Sequence, residues 1–122
     1  MEIAERTMGA VTILDLKGKL TMDDGAKRLK DKSKSLVFQG RHQVIVNLGS
    51  VPYIDSGGLG QLVACHATVA RAGGRLTLSS ISRRNHALLS ITKLIGVFET
   101  FETEQAALDS YADGARVMDN SL

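Results

Sequence analysis

Val44-Ile45-Val46-Asn47-Leu48 and Asp55-Ser56-Gly57-Gly58-Leu59-Gly60 are the two stretches of sequence that decide the fold. The first stretch is almost continuously apolar, which is typical of a strand covered on both faces. The second opens a run with apolar residues on one helical stripe. Because Gly73-Gly74 supplies a stop signal, this run predicts a helix over about 56–72. A buried strand that leads through a short loop into a helix is the repeating unit of an α/β fold.

The segment before the central strand predicts an extended start, a strand and a helix. Short β-branched stretches indicate an extended segment that turns into a strand at 11–16, and Gly18 breaks this strand. Thr21 is followed three residues later by Asp24, which resembles a capping box with Asp in place of Glu. The apolar spacing that follows predicts a first helix over about 22–38.

The remainder of the chain continues the alternation of strands and helices. It predicts a strand at 75–79, a helix capped by Ser82 that reaches about Thr92, a strand at 97–102, and a helix capped by Thr103 that ends near Gly114.

These elements define the predicted fold class. A hairpin-like start followed by alternating strands and helices predicts an α/β protein with a single mixed, mostly parallel sheet of about five strands and about four helices. We expect one domain at residues 1–114 and a mobile C-terminal tail at 115–122.

The composition excludes several classes of site. The chain has 122 residues, 43% of them apolar, and a formal net charge of only +2, so global charge indicates no nucleic-acid partner. Few aromatic side chains are available to stack on bases. Cys65 is the one cysteine, which rules out an internal disulfide and a four-cysteine zinc site. We expect no bound metal and no cofactor.

The same cysteine usage suits a reducing compartment. No apolar run approaches the roughly 18 residues that span a bilayer, and the opening Met1–Arg6 lacks the apolar stretch of a signal peptide. We therefore expect a cytoplasmic protein without membrane insertion.

Ser56 is the candidate functional residue. It follows the central strand and begins the second predicted helix, and loops at the carboxyl ends of parallel strands usually meet ligands and partners. A phosphate on Ser56 would meet the positive end of the helix dipole and free amide donors. The alternative interpretation is that Asp55 and Ser56 only cap the helix while the glycines form a tight turn. Capping and phosphorylation are compatible.

The stretch Gly49–Gly60 resembles the signature of STAS-domain anti-sigma factor antagonists. That signature reads as a strand, then Gly-Val-x-aromatic-Ile/Met-Asp-Ser-Ser/Thr-Gly-Leu-Gly, then a helix. The resemblance runs from Val11 to about Tyr111 and includes Ala70-Arg71-Ala72-Gly73-Gly74-Arg75-Leu76 and Leu88-Leu89-Ser90-Ile91-Thr92 followed by Phe98. It implies the STAS fold.

The resemblance also implies a mechanism that is not enzymatic. In this family the unphosphorylated antagonist binds an anti-sigma factor that is itself a serine kinase, and this binding releases the sigma factor. Phosphorylation of the serine after the Asp, here Ser56, ends the binding, and a PPM-type serine phosphatase resets the cycle. The implied partner-binding residues are Thr21, Tyr53, Ile54, Asp55, Ser56, Gly57, Gly58 and Leu59.

Two positions depart from the family pattern within the site. Gly57 stands where the family usually has a second Ser or Thr, so no neighbouring hydroxyl can substitute for Ser56. Thr21 stands where many members carry an Asp beside the serine, so recognition by the kinase is expected to differ here.

Other functions remain as alternatives. The foremost is a STAS subunit of a larger assembly, such as the cytoplasmic partner of a phospholipid-transporting ABC system, in which the same loop docks on an ATPase without phosphorylation. Asp55-Ser56-Gly57-Gly58 also matches the tetrad around the nucleophile of trypsin-like proteases. The protease reading fails because the chain is helix-rich and has no comparably placed His and Asp.

Overall fold

A computed structural model describes the backbone of residues 1–120 and the side chains of residues 1–112. Its strands form one five-stranded sheet in the order β1-β2-β3-β4-β5. Strand β1 is antiparallel to β2, and the remaining neighbours are parallel. In chain order the elements are β1 (Glu2–Met8), β2 (Val11–Lys17), α1 (Ala26–Phe38), β3 (Gln43–Ser50), α2 (Ser56–Arg71), β4 (Arg75–Ser79), α3 (Arg83–Ile91), β5 (Thr100–Phe101) and α4 (Glu104–Asn120). This is the mixed, mostly parallel α/β sheet with four helices that the sequence predicted.

The central strand β3 is buried on both faces, as its apolar run predicted. Val44 and Val46 point into a large cluster together with residues of α1, α2 and α3. Ile45 points to the opposite face and joins a smaller cluster with Ala107 and Tyr111 of α4. Because alternate side chains of one strand enter two cores, the end of β3 and the loop after it are held from both sides.

Tyr111 fastens α4 to the sheet. Its buried hydroxyl donates to the carbonyl oxygen of Val44 at 2.5 Å and lies 3.3 Å from the hydroxyl of Thr77. The guanidinium carbon of Arg75 stands 4.4 Å from the ring centroid. Burial raises the pKa of the Tyr111 phenol above its ordinary value of 10.0, so the group stays a neutral donor.

The first helix begins later than the sequence predicted. The expected start at residue 22 was wrong, because Gly25 adopts a left-handed φ of 94° and α1 begins only at Ala26. The Thr21 hydroxyl accepts from the amide of Asp24 at 3.0 Å, which closes a turn before the helix rather than capping it. A Thr-x-x-Asp pattern fits both arrangements.

The end of the chain differs in two details from the predicted elements. Strand β5 is only Thr100–Phe101, and a short 3-10 turn at Leu94–Gly96 precedes it. Helix α4 runs to Asn120, past the predicted end at Gly114, since a single glycine within a helix is tolerated. The predicted mobility of residues 115–122 stays a prediction, and residues 121–122 lie outside the described residues.

Within residues 1–120, no helix combines the length and the apolar character that a bilayer crossing requires.

Replacement of Tyr111 by Phe should weaken the attachment of α4. The variant keeps the ring but leaves the buried Thr77 hydroxyl and the Val44 carbonyl without this partner, so the free energy of unfolding should fall by about 1–2 kcal/mol. Ser110→Ala is the matched control, because that hydroxyl bonds only within α4, and it should change stability by less than about 0.5 kcal/mol. Urea denaturation followed by circular dichroism compares the two variants. Equal effects would contradict the anchoring role.

Candidate functional site

The site lies where two loops pair beyond the carboxyl end of β3. The amide of Leu20 donates to the carbonyl of Tyr53 at 3.0 Å, and the amide of Asp55 donates back to the carbonyl of Leu20 at 3.2 Å. This short parallel bridge between Leu20 and Ile54 extends the sheet by one step past β2 and β3. The loop before α1 and the loop before α2 therefore form one unit.

The Asp55 carboxylate joins this unit to the start of α2. Its Oδ1 accepts from the amide of Gly58 at 2.7 Å, which makes Asp55 the N-cap of α2. The two carboxylate oxygens also accept from the amide of Met22, at 3.1 and 3.2 Å. Charge-assisted bonds of this kind are stronger than those between neutral groups, so one side chain positions both segments.

Ser56 is the first residue of α2, and it is exposed. Its hydroxyl makes no hydrogen bond with any residue whose side chain the structure describes. Within the same part of the chain, the amides of Ser56 and Gly57 also have no acceptor. An exposed hydroxyl therefore stands beside two free backbone donors at the positive end of a helix, an arrangement that favours a bound anion.

The predicted partner-binding residues divide by burial. Tyr53 and Ser56 are exposed, and Thr21, Asp55 and Gly57 are half-buried. The buried members are Ile54, Gly58 and Leu59. Ile54 and Leu59 support the loop by packing in the core, and Gly58 allows the close approach of Leu20. The exposed members form the outer surface of the loop.

Thr21 is occupied within its own turn. Its hydroxyl accepts from the amide of Asp24 and lies 3.3 Å from the carbonyl oxygen of the same residue. The residue that reaches across to α2 is instead its neighbour Met22, through its backbone amide. The structure therefore gives Thr21 the role of a turn former beside the site.

Three residues of this surface were missed by sequence reasoning. Met22 is 71% exposed and Ile91 at the end of α3 is 80% exposed, which is unusual for large apolar side chains. Arg84 on α3 places its guanidinium carbon 5.3 Å from the centroid of the Tyr53 ring. Met22 could have been suspected as an apolar residue in a polar turn. Arg84 and Ile91 carry no such signal, because only the packing of α3 brings them here.

The groove beside Ser56 brings together one carboxylate and one guanidinium, those of Asp55 and Arg84. The residues that line this groove include no histidine. Across the described side chains, no three His, Cys, Asp or Glu residues come together as a metal site requires. Cys65 is buried on α2, away from this surface.

Gly57 and Gly58 let the two loops approach each other. A Cβ on Gly58 would overlap the carbonyl oxygen of Leu20. A Cβ on Gly57 would lie 2.5 Å from Cβ and 3.1 Å from Cα of Met22, and a rotamer change moves neither atom. Met22 thus occupies the space that a side chain at position 57 would need. This contact explains why this chain has Gly57 where the family usually has a second Ser or Thr.

Alanine at position 57 should disturb the site, whereas alanine at position 60 should not. Gly57→Ala forces Met22 away and should lower the free energy of unfolding by about 1–3 kcal/mol. Gly60 lies on the same helix, and its Cβ would meet nothing within 4 Å. Gly60→Ala should therefore stabilise the fold by up to about 1 kcal/mol through helix propensity. Thermal and urea unfolding measure both changes, and similar values for the two would refute the contact.

Comparison with known proteins places this geometry in a family. The family model for the STAS domain matches residues 2–107. A candidate anti-sigma factor antagonist from Thermotoga maritima is 23% identical, with 88% of this chain and 92% of that chain covered and a TM-score of 0.83. The phosphorylated form of SpoIIAA, a Bacillus cell fate determinant, is 20% identical, with 90% and 99% covered and a TM-score of 0.71. A sulfate transporter family protein from Wolinella succinogenes is 22% identical, with 88% of each chain covered and a TM-score of 0.69.

Identities this low show a shared fold, and the family model extends over most of the sequence. The chain belongs to the STAS domain family.

Proposed function

We propose that this protein is an anti-sigma factor antagonist that acts by partner switching. In its unphosphorylated form it binds an anti-sigma factor that is a serine kinase, and the sigma factor is released. Phosphorylation of Ser56 by that kinase ends the binding, and a PPM-type serine phosphatase restores the first state. The protein itself is not an enzyme, and it acts in the cytoplasm without direct contact to nucleic acid.

The observation that carries the proposal is the position of Ser56. Its hydroxyl is exposed and unbonded among the described side chains, while the residue before it is held by two separate segments. A kinase can reach such a hydroxyl without unfolding anything. The free amides of Ser56 and Gly57 can stabilise the added phosphate, so the modification is compatible with the fold.

The surroundings of Ser56 explain how a phosphate would change binding. Met22, Tyr53 and Ile91 present exposed apolar surface around the loop, and clustered apolar surface of this kind is typical of protein interaction sites. A phosphate adds a charge of about −1.5 to −2 beside these side chains. A partner that covers them would have to desolvate this charge, which disfavours binding.

The solved structures of relatives support the same conclusion. SpoIIAA has been determined in unphosphorylated and phosphorylated forms, and this chain matches them with TM-scores of 0.69 and 0.71. The close values indicate that one fold carries both states in that protein. A switch confined to the surface is consistent with this behaviour.

Incubation of the protein with ATP and the cognate serine kinase of its organism should add one phosphate, and Ser56→Ala should abolish the addition. Ser50→Ala is the matched control, because Ser50 is exposed at the end of β3 but lies outside the α2 terminus. Intact-mass spectrometry with peptide mapping reads out both variants. A phosphate on another residue would refute the assignment of Ser56.

Charge at position 56 should weaken capture of the kinase. Ser56→Asp and Ser56→Glu place an anion where the phosphate would lie, and a hundredfold loss of affinity corresponds to about 2.7 kcal/mol. Ser56→Asn has a similar size without the charge, and it should retain most of the affinity. Calorimetric titration against the kinase compares the three variants. Unchanged affinity for the charged variants would argue against a charge-based switch.

The role of a STAS subunit in a larger assembly is the second candidate. The observation in its favour is the Thr21 hydroxyl, which is bonded within its own turn and offers no carboxylate beside Ser56. In that role the loop would bind an ATPase subunit and Ser56 would not be modified. The phosphorylation experiment separates the candidates, and lipid-transporter genes beside the coding sequence would favour the second.

A further inference from the structure

A groove runs between the Ser56 loop and α3. Its volume is about 350 Å³, and its walls include Tyr53, Asp55 and Ser56 on one side and Arg84, Leu88 and Ile91 on the other. Leu88 and Ile91 make part of the α3 wall apolar, whereas Arg84 on the same wall and Asp55 and Ser56 on the other supply polar groups. A group added to Ser56 would enter this groove.

Arg84 is the cationic residue of this groove. It is the second residue of α3, it is exposed, and its guanidinium lies over the Tyr53 ring at 5.3 Å. Its neighbour Arg83 lines a different groove, on the β5 side of α3, together with His86 and Phe101. The two adjacent arginines therefore line different grooves, and of the two only Arg84 lines the groove that contains Ser56.

We infer that Arg84 is the internal counterion of a phosphate on Ser56. This inference rests on the proposed function, because it assigns a role in the modified state of the same site. A guanidinium can form two parallel hydrogen bonds to a phosphate, and this pairing is stronger than an exposed cation–π contact. Phosphorylation would thus draw Arg84 from the Tyr53 ring to the phosphate.

The exchange alters the surface in two ways. Tyr53 loses the cation that covers its ring, and the phosphate is held at the mouth of the groove rather than extended into solvent. The apolar wall formed by Leu88 and Ile91 then lies behind a fixed ion pair. The ion pair between Arg84 and the phosphate would therefore block the groove. A partner would then meet a surface of changed shape as well as changed charge.

The other charges of this region must be held constant in a test. The Asp55 carboxylate is adjacent to Ser56, and Asp23 and Asp24 lie in the exposed turn before α1, where Asp24 is paired with the Met1 ammonium at 2.8 Å. The Asp55 carboxylate opposes a dianion, whereas the N-terminal amides of α2 favour it. A comparison of variants at position 84 alone leaves all of these contributions unchanged.

The experiment uses the full chain with phosphoserine placed at position 56 by genetic encoding, so that no kinase is needed. Titration by phosphorus NMR gives the second pKa of the phosphate, which is ordinarily about 6. A paired guanidinium favours the dianion and lowers this pKa, so Arg84→Gln should raise it by about half a pH unit. Arg83→Gln is the matched control, and it should leave the pKa unchanged.

A second readout follows the Tyr53 ring. Its proton resonances should shift on phosphorylation in the parent protein, because the guanidinium leaves the ring, and this shift should disappear in Arg84→Gln. Equal phosphate pKa values in the parent and Arg84→Gln, or equal changes in the Arg83 and Arg84 variants, would overturn the inference. Failure of the proposed function appears separately, as absence of Ser56 phosphorylation by the kinase.

Discussion

The Asp55 carboxylate holds together two segments that are far apart in sequence. It accepts from the amide of Gly58 in the first turn of α2 and from the amide of Met22 in the turn before α1. One carboxylate that accepts from amides of two separate segments fixes both turns at once. The glycines at 57 and 58 are the steric condition for it, because a Cβ at 57 would overlap Met22 and a Cβ at 58 would overlap the Leu20 carbonyl.

The strand that leads to Asp55 is packed on both of its faces. In β3, the Val46 side chain packs in the core with α1 and α2, and the Ile45 side chain packs in the core with α4. The Tyr111 hydroxyl ties α4 to the same strand through the carbonyl of Val44. The end of β3 is therefore fixed by packing on both faces, and the position of Ser56 follows from the strand, the bridge at Ile54 and the cap.

The parts of this arrangement that depend on local pattern were predictable from the sequence. The apolar run at 44–48 predicted a doubly covered strand, and the sequence predicted that Ser56 begins the second helix, as it does. The role of Ser56 stays a prediction. The start of α1 was not predictable, because a Thr-x-x-Asp pattern serves equally as a cap or as a turn and only the left-handed Gly25 decides between them. The exposure of Ile91 was also not predictable, since it depends on where α3 packs rather than on the neighbours of Ile91 in the chain.

The division between buried and exposed residues separates two kinds of substitution at this site. Ile54, Gly58 and Leu59 lie in the core, so substitutions there change the free energy of unfolding before they change recognition. Tyr53 and Ser56 are exposed, and substitutions there alter the surface while the cap and the bridge remain. A phosphate on Ser56 would belong to the second class. In this fold the Ser56 hydroxyl is exposed, whereas Ile54, Gly58 and Leu59, which support the loop that carries it, are buried.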